Sequence, residues 1–96
     1  MIEVRETDVF AAWLSGLRDL RARAEVARRV RRLALGNPGD VKPVGEGVSE
    51  LRIHSGPGYR VYFVQRGAVL IVLLCGGDKG GQDRDIRSAL ELAKEV

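Results

Sequence analysis

The sequence predicts an α+β domain in which two N-terminal helices pack on a small antiparallel sheet and a third helix closes the chain, in the order β-α-α-β-β-β-α. Three observations predict it. Apolar residues recur at helical spacing between Phe10 and Leu35. From Val48 the period changes to alternation, with two glycine-containing turns that join consecutive strands as hairpins. Helical spacing returns at Ile86, Ala89, Leu90 and Ala93. The 96 residues suit one domain, 1–96, because two halves of that size would each bury too little surface.

Residues 1–6 alternate Ile2 and Val4 with Glu3 and Arg5, the pattern of a short strand with one buried face. Thr7 or Asp8 can cap a first helix carrying Phe10, Trp13, Leu14 and Leu17 on one face, and Ser15-Gly16 weakens it. Asp19 can cap a second helix running to about Leu35. Its expected apolar positions are Leu20, Ala24, Ala27, Val30, Leu33 and Ala34, and its opposite face carries Arg21, Arg28, Arg29 and Arg32. Gly36-Asn37-Pro38-Gly39-Asp40 ends it. Strands follow at 48–54, at 59–64 and at 68–75, the last apolar throughout and so expected to be buried on both faces. Ser55–Gly58 and Gln65-Arg66-Gly67 are the turns between them. Gly76–Gly81 reads as a flexible loop, and the last helix starts near Gln82.

Composition excludes several classes of function. No apolar run approaches the roughly 18 residues of a bilayer span, and the N-terminus lacks the basic-then-apolar pattern of a secretion signal. The lone Cys75 lies in an apolar strand and reads as a buried thiol, so the reducing cytoplasm is the expected location. With a single histidine and a single cysteine far apart, no metal-ligand pattern is present, and no metal or cofactor is expected. Gly45-Glu46-Gly47 lacks the third glycine of a dinucleotide loop, and no Gly-Lys-Ser/Thr follows Gly76–Gly81.

A set of cations remains. The net charge is +3, carried by 13 arginines and 3 lysines; codon bias and phosphate recognition both explain that ratio. Arg52 and His54 share one face of a strand, Arg60 begins the next strand, and Lys79 follows the strand after that. In an antiparallel meander these positions come to one end of the sheet. Like charges gathered there repel unless a polyanion relieves them. Tyr59 and Tyr62 flank Arg60 and can stack on bases, although Tyr62 can equally be core. The arginine-rich face of the second helix fits a nucleic-acid contact, an acidic partner or plain solvation.

Several segments resemble the HigB-like branch of the RelE/ParE toxin superfamily. They are Gly36-Asn37-Pro38-Gly39-Asp40-Val41-Lys42, Gly45-x-Gly47-Val48-x-Glu50-Leu51-Arg52-Ile53, Gly56-Pro57-Gly58-Tyr59-Arg60-Val61-Tyr62-Phe63 and Leu73-Leu74-x-Gly76-Gly77-Asp78-Lys79-x-x-Gln82-x-x-Asp85-Ile86, with Phe10-x-x-Trp13-Leu14 matching the first helix. The resemblance covers nearly the whole chain. It implies a RelE-like fold, a metal-independent cut of mRNA in the ribosomal A site by the RNA's own 2′-OH, and neutralisation by a cognate helix-turn-helix antitoxin. ParE-like relatives of that fold poison gyrase instead, and a degenerate toxin that only binds its antitoxin is a third reading. By position, Arg60 matches the arginine on the scissile phosphate and Lys79 a cation near the leaving group. Arg52 and His54 lie where the family places basic residues on the strand before the turn, and Lys42, Arg52 and Tyr59 are the expected RNA-binding residues. Two features depart from the pattern. Gly80-Gly81 replaces a capping hydroxyl before Gln82, and a C-terminal tyrosine is missing.

Cleavage needs a base for the 2′-OH, charge stabilisation at phosphorus and a proton for the 5′-oxygen. Arginines serve as electrostatic clamps. His54 is the expected base or acid, because imidazole alone among ordinary side chains titrates near neutrality. Lys79 is the second proton donor, and Glu50 is an alternative base or merely the partner of Arg52.

Overall fold

The computed structural model describes residues 2–96. Met1, the first residue of the predicted N-terminal strand, lies outside them. The chain runs β1 (Glu3–Glu6), α1 (Asp8–Gly16), α2 (Leu20–Ala34), β2 (Val41–Gly45), β3 (Val48–Ile53), β4 (Tyr59–Arg66), β5 (Leu70–Gly77), a 3-10 turn (Lys79–Gly81) and α3 (Gln82–Ala93). The five strands form one mixed sheet in the order β1-β5-β4-β3-β2. Strand β1 is parallel to β5, and the other pairings are antiparallel.

The α+β class and the meander agree with the sequence reading, but the sheet differs from it in three ways. It is mixed rather than purely antiparallel, because β1 adds at the edge of β5 after a long crossover. It gains β2, whose Pro43 and Gly45 read as breakers in the sequence. Pro43 is tolerated because β2 is an edge strand, and the pairing with β3 slips between Pro43 and Gly45. The third difference is at the strand ends: β4 continues through Arg66, and β5 takes in Gly76 and Gly77, which had read as loop.

Each face of the sheet carries its own core. On one, Phe10, Val26 and Leu33 from α1 and α2 meet Leu51, Ile53, Val61, Phe63, Ile71 and Leu73. On the other, Ala89 and Ala93 of α3 meet Val48, Tyr62, Val64, Val72, Leu74 and Cys75. Strand β5 supplies both, as its unbroken apolar run requires. A bulge sets Tyr62 opposite Cys75 and Phe63 opposite Leu73, leaving Leu74 as the extra residue. The Thr7 hydroxyl accepts from the Phe10 amide at 3.0 Å and donates to the Leu74 carbonyl at 2.5 Å, so one side chain caps α1 and satisfies the bulge.

Helix α2 keeps its predicted facing only in part: Leu33 is buried and Val30 packs against the core as expected. Its buried residues are Ala22, Val26, Arg29 and Leu33, whereas Leu20, Ala24 and Ala27 are exposed. Arg29, expected on the solvated face, is buried. Its Nη1 donates to the Arg52 carbonyl at 2.7 Å and its Nη2 to the Pro38 carbonyl at 3.4 Å, tying α2 to the loop before β2 and to β3. An arginine at a core-facing position is invisible to a hydrophobic pattern, so that pattern settled on the neighbouring alanines. Gly76 and Gly77 are required for packing: a Cβ on Gly76 would overlap the Trp13 ring, and one on Gly77 the Asp85 carboxylate. No helix among the described residues is long and apolar enough to cross a membrane.

Candidate nucleic-acid interface

Register across the sheet assembles the site. Lys42, Glu50, Tyr62 and Cys75 are successive cross-strand partners, and Arg52, Arg60 and Gly77 form the next row. Directly paired residues point to the same face, which is the face α3 covers. In the sequence Arg52 and Arg60 read as like charges that a polyanion would relieve. Here α3 and the turn before it roof this end, leaving the Arg52 side chain 32% exposed and that of Arg60 13%.

Glu50 is fully buried at the centre of the cluster. Its Oε1 accepts from Arg52 Nε at 3.1 Å. Its Oε2 accepts from Tyr62 Oη at 3.0 Å and Gln82 Nε2 at 2.9 Å, with Arg60 Nε 3.4 Å away. Burial pushes the carboxyl up. The hydrogen bonds from Arg52, Gln82 and Tyr62 and the charge of Arg60 outweigh it and hold the group below the usual carboxylate range. An ionised carboxylate so fully engaged is a poor base and a good anchor. Burial and the Glu50 charge push the Tyr62 phenol up, so it stays a donor. The gathered cations therefore have a structural reason that the sequence argument lacked: Glu50 is the counter-ion of two of them.

The Arg60 guanidinium and the root of the Lys79 side chain both border Gly58. Arg60 Nη1 donates to the Gly58 carbonyl at 2.7 Å. A Cβ on Gly58 would stand 3.2 Å from Arg60 Nη1 and 3.6 Å from Lys79 Cβ, so both side chains flank this glycine, whose φ of +77° also favours glycine. Arg60 Nη2 holds no hydrogen bond among the described residues and remains a donor for a ligand. Lys79 opens onto a groove shared with Gln82, Arg84 and Arg87. Asp78 caps the 3-10 turn by accepting from the Gly80 amide at 2.9 Å, while Gly81 gives α3 no side-chain cap.

The other expected residues are dispersed. His54 lies one residue past β3, exposed, with Nε2 2.6 Å from Asp40 Oδ2. With the carboxylate as acceptor, Nε2 is the donating nitrogen of this contact. Its partner is thus Asp40, just before β2, rather than Arg60 or Lys79. Tyr59 is half-buried on the α1–α2 face, edge-on to Trp13 with ring centroids 6.3 Å apart. That is the face opposite Arg60. Lys42 is exposed on β2, in the row of Glu50. No three His, Cys, Asp or Glu side chains gather as metal ligands among the described residues.

The model of a family described as Phage derived protein Gp49-like matches residues 12–96, the segment holding every residue of this cluster. The chain belongs to the Gp49-like family. That family is part of the RelE/HigB-like toxin superfamily and is associated with the toxins of toxin–antitoxin pairs. This Gp49-like protein is also 50% identical to an uncharacterized protein of Haemophilus influenzae over 95 residues, covering 99% of this chain and 96% of the relative.

Tyr62, weighed in the sequence as stacking or core, is core, and two contributors to the Gp49-like site went unread. Gln82 and Tyr62 hold Glu50, and Asp40 holds His54. Strand parity already set Glu50, Arg52, Arg60 and Tyr62 on one face, so a charged residue facing a tyrosine there was the available signal. Nothing in the sequence brings Gln82 or Asp40 to those partners.

Proposed function

We propose that this Gp49-like protein is the toxin of a type II toxin–antitoxin pair. In this reading it has the RelE-like fold of the HigB-like branch, acts as a single domain in the cytoplasm, and is neutralised by a cognate helix-turn-helix antitoxin. It cleaves mRNA on the ribosome without a metal. The 2′-oxygen attacks the adjacent phosphorus and the bond from phosphorus to the 5′-oxygen breaks, leaving a 2′,3′-cyclic phosphate and a 5′-OH. The proton leaves the 2′-OH to a base and another is delivered to the 5′-oxygen.

The observation that carries this reading is that the Arg60 guanidinium and the root of the Lys79 side chain both border Gly58, with Arg60 braced by buried Glu50. A guanidinium with an unused amine, fixed before substrate arrives, stabilises charge growing on phosphate oxygens without reorganisation. Lys79 is the donor for the 5′-oxygen. His54 is the base through Nδ1, with Nε2 held by Asp40. Lys42 and Arg52 contact the RNA backbone on the same face, and Tyr59, whose ring lies on the opposite face beside Gly56, shapes the turn before Arg60 that the RNA meets.

The test is primer extension on translated mRNA, with gyrase supercoiling assayed beside it. Lys79→Ala, at an exposed position, is expected to stay folded and to lose at least 100-fold in cleavage, within the range for removal of an acid. His54→Gln is expected to change the pH–rate profile. Cleavage by Lys79→Ala at the wild-type rate overturns the site. Inhibition of gyrase without cut mRNA overturns the activity.

A further inference from the structure

Helix α2 carries two apolar stripes, and the fold uses one. The buried stripe is Ala22, Val26 and Leu33. The second is Leu20, Ala24, Ala27 and Ala34, which faces away from the sheet with Leu20 72% exposed and Ala24 and Ala27 exposed; Leu35, 67% exposed, follows it. With Arg31, these positions alternate spacings of four and three, the a/d pattern of a coiled-coil seam, over about 21 Å of helix. Arg21 and Arg28 each follow a seam residue and Arg23 precedes one, which are the e and g positions that select a partner.

Charge is segregated onto this helix. Residues 18–32 hold seven of the chain's 16 cationic side chains and two of its 13 acidic ones, so the rest of the chain is net acidic. Of the two acids, Asp19 accepts from the Arg21 and Ala22 amides, and Glu25 pairs with Arg28 at 2.6 Å. Arg21, Arg23 and Arg31 have no ion pair among the described residues.

We infer that the outward face of α2 docks an acidic amphipathic helix, with aliphatic residues on the Leu20–Ala24–Ala27 seam and carboxylates against Arg21, Arg23 and Arg28. The small alanines permit close approach. A second copy of this chain is disfavoured because its arginines would face these, and a phosphate backbone has no use for the apolar seam. The inference stands apart from the proposed cleavage and concerns the opposite face of the sheet.

The probe is a synthetic three-heptad peptide with Leu at a and d and Glu at e and g, titrated into the ¹⁵N-labelled full chain. The control has the same composition with its leucines moved off the seam. The seam peptide is expected to shift resonances of residues 20–35 and to bind at least tenfold more tightly than the control. The Arg21→Glu/Arg23→Glu/Arg28→Glu variant should lose that binding tenfold and gain a peptide with Lys in place of Glu. Should the triple variant fail to fold, Ala24→Glu at one exposed position should lose at least tenfold by itself. Equal binding of the control, binding mapped elsewhere, or unchanged preference after charge reversal overturns the inference. So does an RNA duplex that occupies residues 20–35 when the peptide does not, or dimerisation through this face in sedimentation.

Discussion

At the scale of single residues, Glu50 organises the site. Its carboxylate is out of water, and four side chains from β3, β4 and α3 are arranged around it. Removing one member of such a buried set leaves the others desolvated and unpaired, which costs about 3–5 kcal/mol. Glu50→Ala is therefore expected to lower stability in urea unfolding by that amount, with a fall in Tm of about 4–8 °C for each kcal/mol. A loss below about 1 kcal/mol in the folded variant, set against the cost just given, would show that the cations do not depend on this anchor. Strand parity made the shared face of Glu50, Arg52, Arg60 and Tyr62 legible in advance. The burial of Glu50 was not, because it depends on α3 crossing that end of the sheet.

At the scale of elements, the joint between α1 and β5 has the least tolerance. Thr7 caps α1 and holds the Leu74 carbonyl of the bulge, and Trp13 lies against the bare backbone of Gly76. Thr7→Ala should cost about 1–2 kcal/mol through the lost cap alone, and Thr7→Ser should recover most of it in thermal unfolding. An effect near zero would mean that water replaces both bonds. The cap was readable, since Thr or Asp before an apolar periodic run starts a helix. The role of Gly76 was not: glycine in a sequence reads first as a loop, and only the approach of the Trp13 ring reveals that it is a strand residue with no room for a Cβ. Helix α2 teaches the same lesson, because an apolar stripe on a helix does not say whether this chain or another protein covers it.

At the scale of the molecule, two carboxylates, Glu50 beneath α3 and Asp85 on it, act on acid stability in opposite directions. Burial and the nearby Asp78 push Asp85 up despite the pull of Arg84, so its contribution to stability is present below its unfolded pKa and is lost as pH rises through its raised folded value. Glu50 is held low, so its contribution is present above the unfolded value and is lost as pH falls through the depressed one. Acidification from neutrality should thus meet Asp85 first, with a small gain, and Glu50 later, with a steep loss below the ordinary carboxylate range. Denaturation midpoints across pH 3–7 check this, and Asp85→Asn should remove the gain while keeping the loss. A curve that Asp85→Asn leaves unchanged would assign the gain to another group.

What the sequence determined by itself is whatever local periodicity and turn chemistry encode: the α+β class, the two helices and the meander, a cap at Thr7 or Asp8 and another at Asp19, and the placing of Arg60 and Lys79 toward one end of the sheet. Each follows from spacings of a few residues and from the handed rules of strand pairing. What only the tertiary structure decided is which surfaces meet across long separations. Strand β1 sits beside β5, α3 buries Glu50, α2 turns Arg29 inward, and Asp40 takes His54 as its partner. The physical reason is that burial and ion pairing depend on what lies on the other side of a side chain, and a one-dimensional pattern carries only the near side.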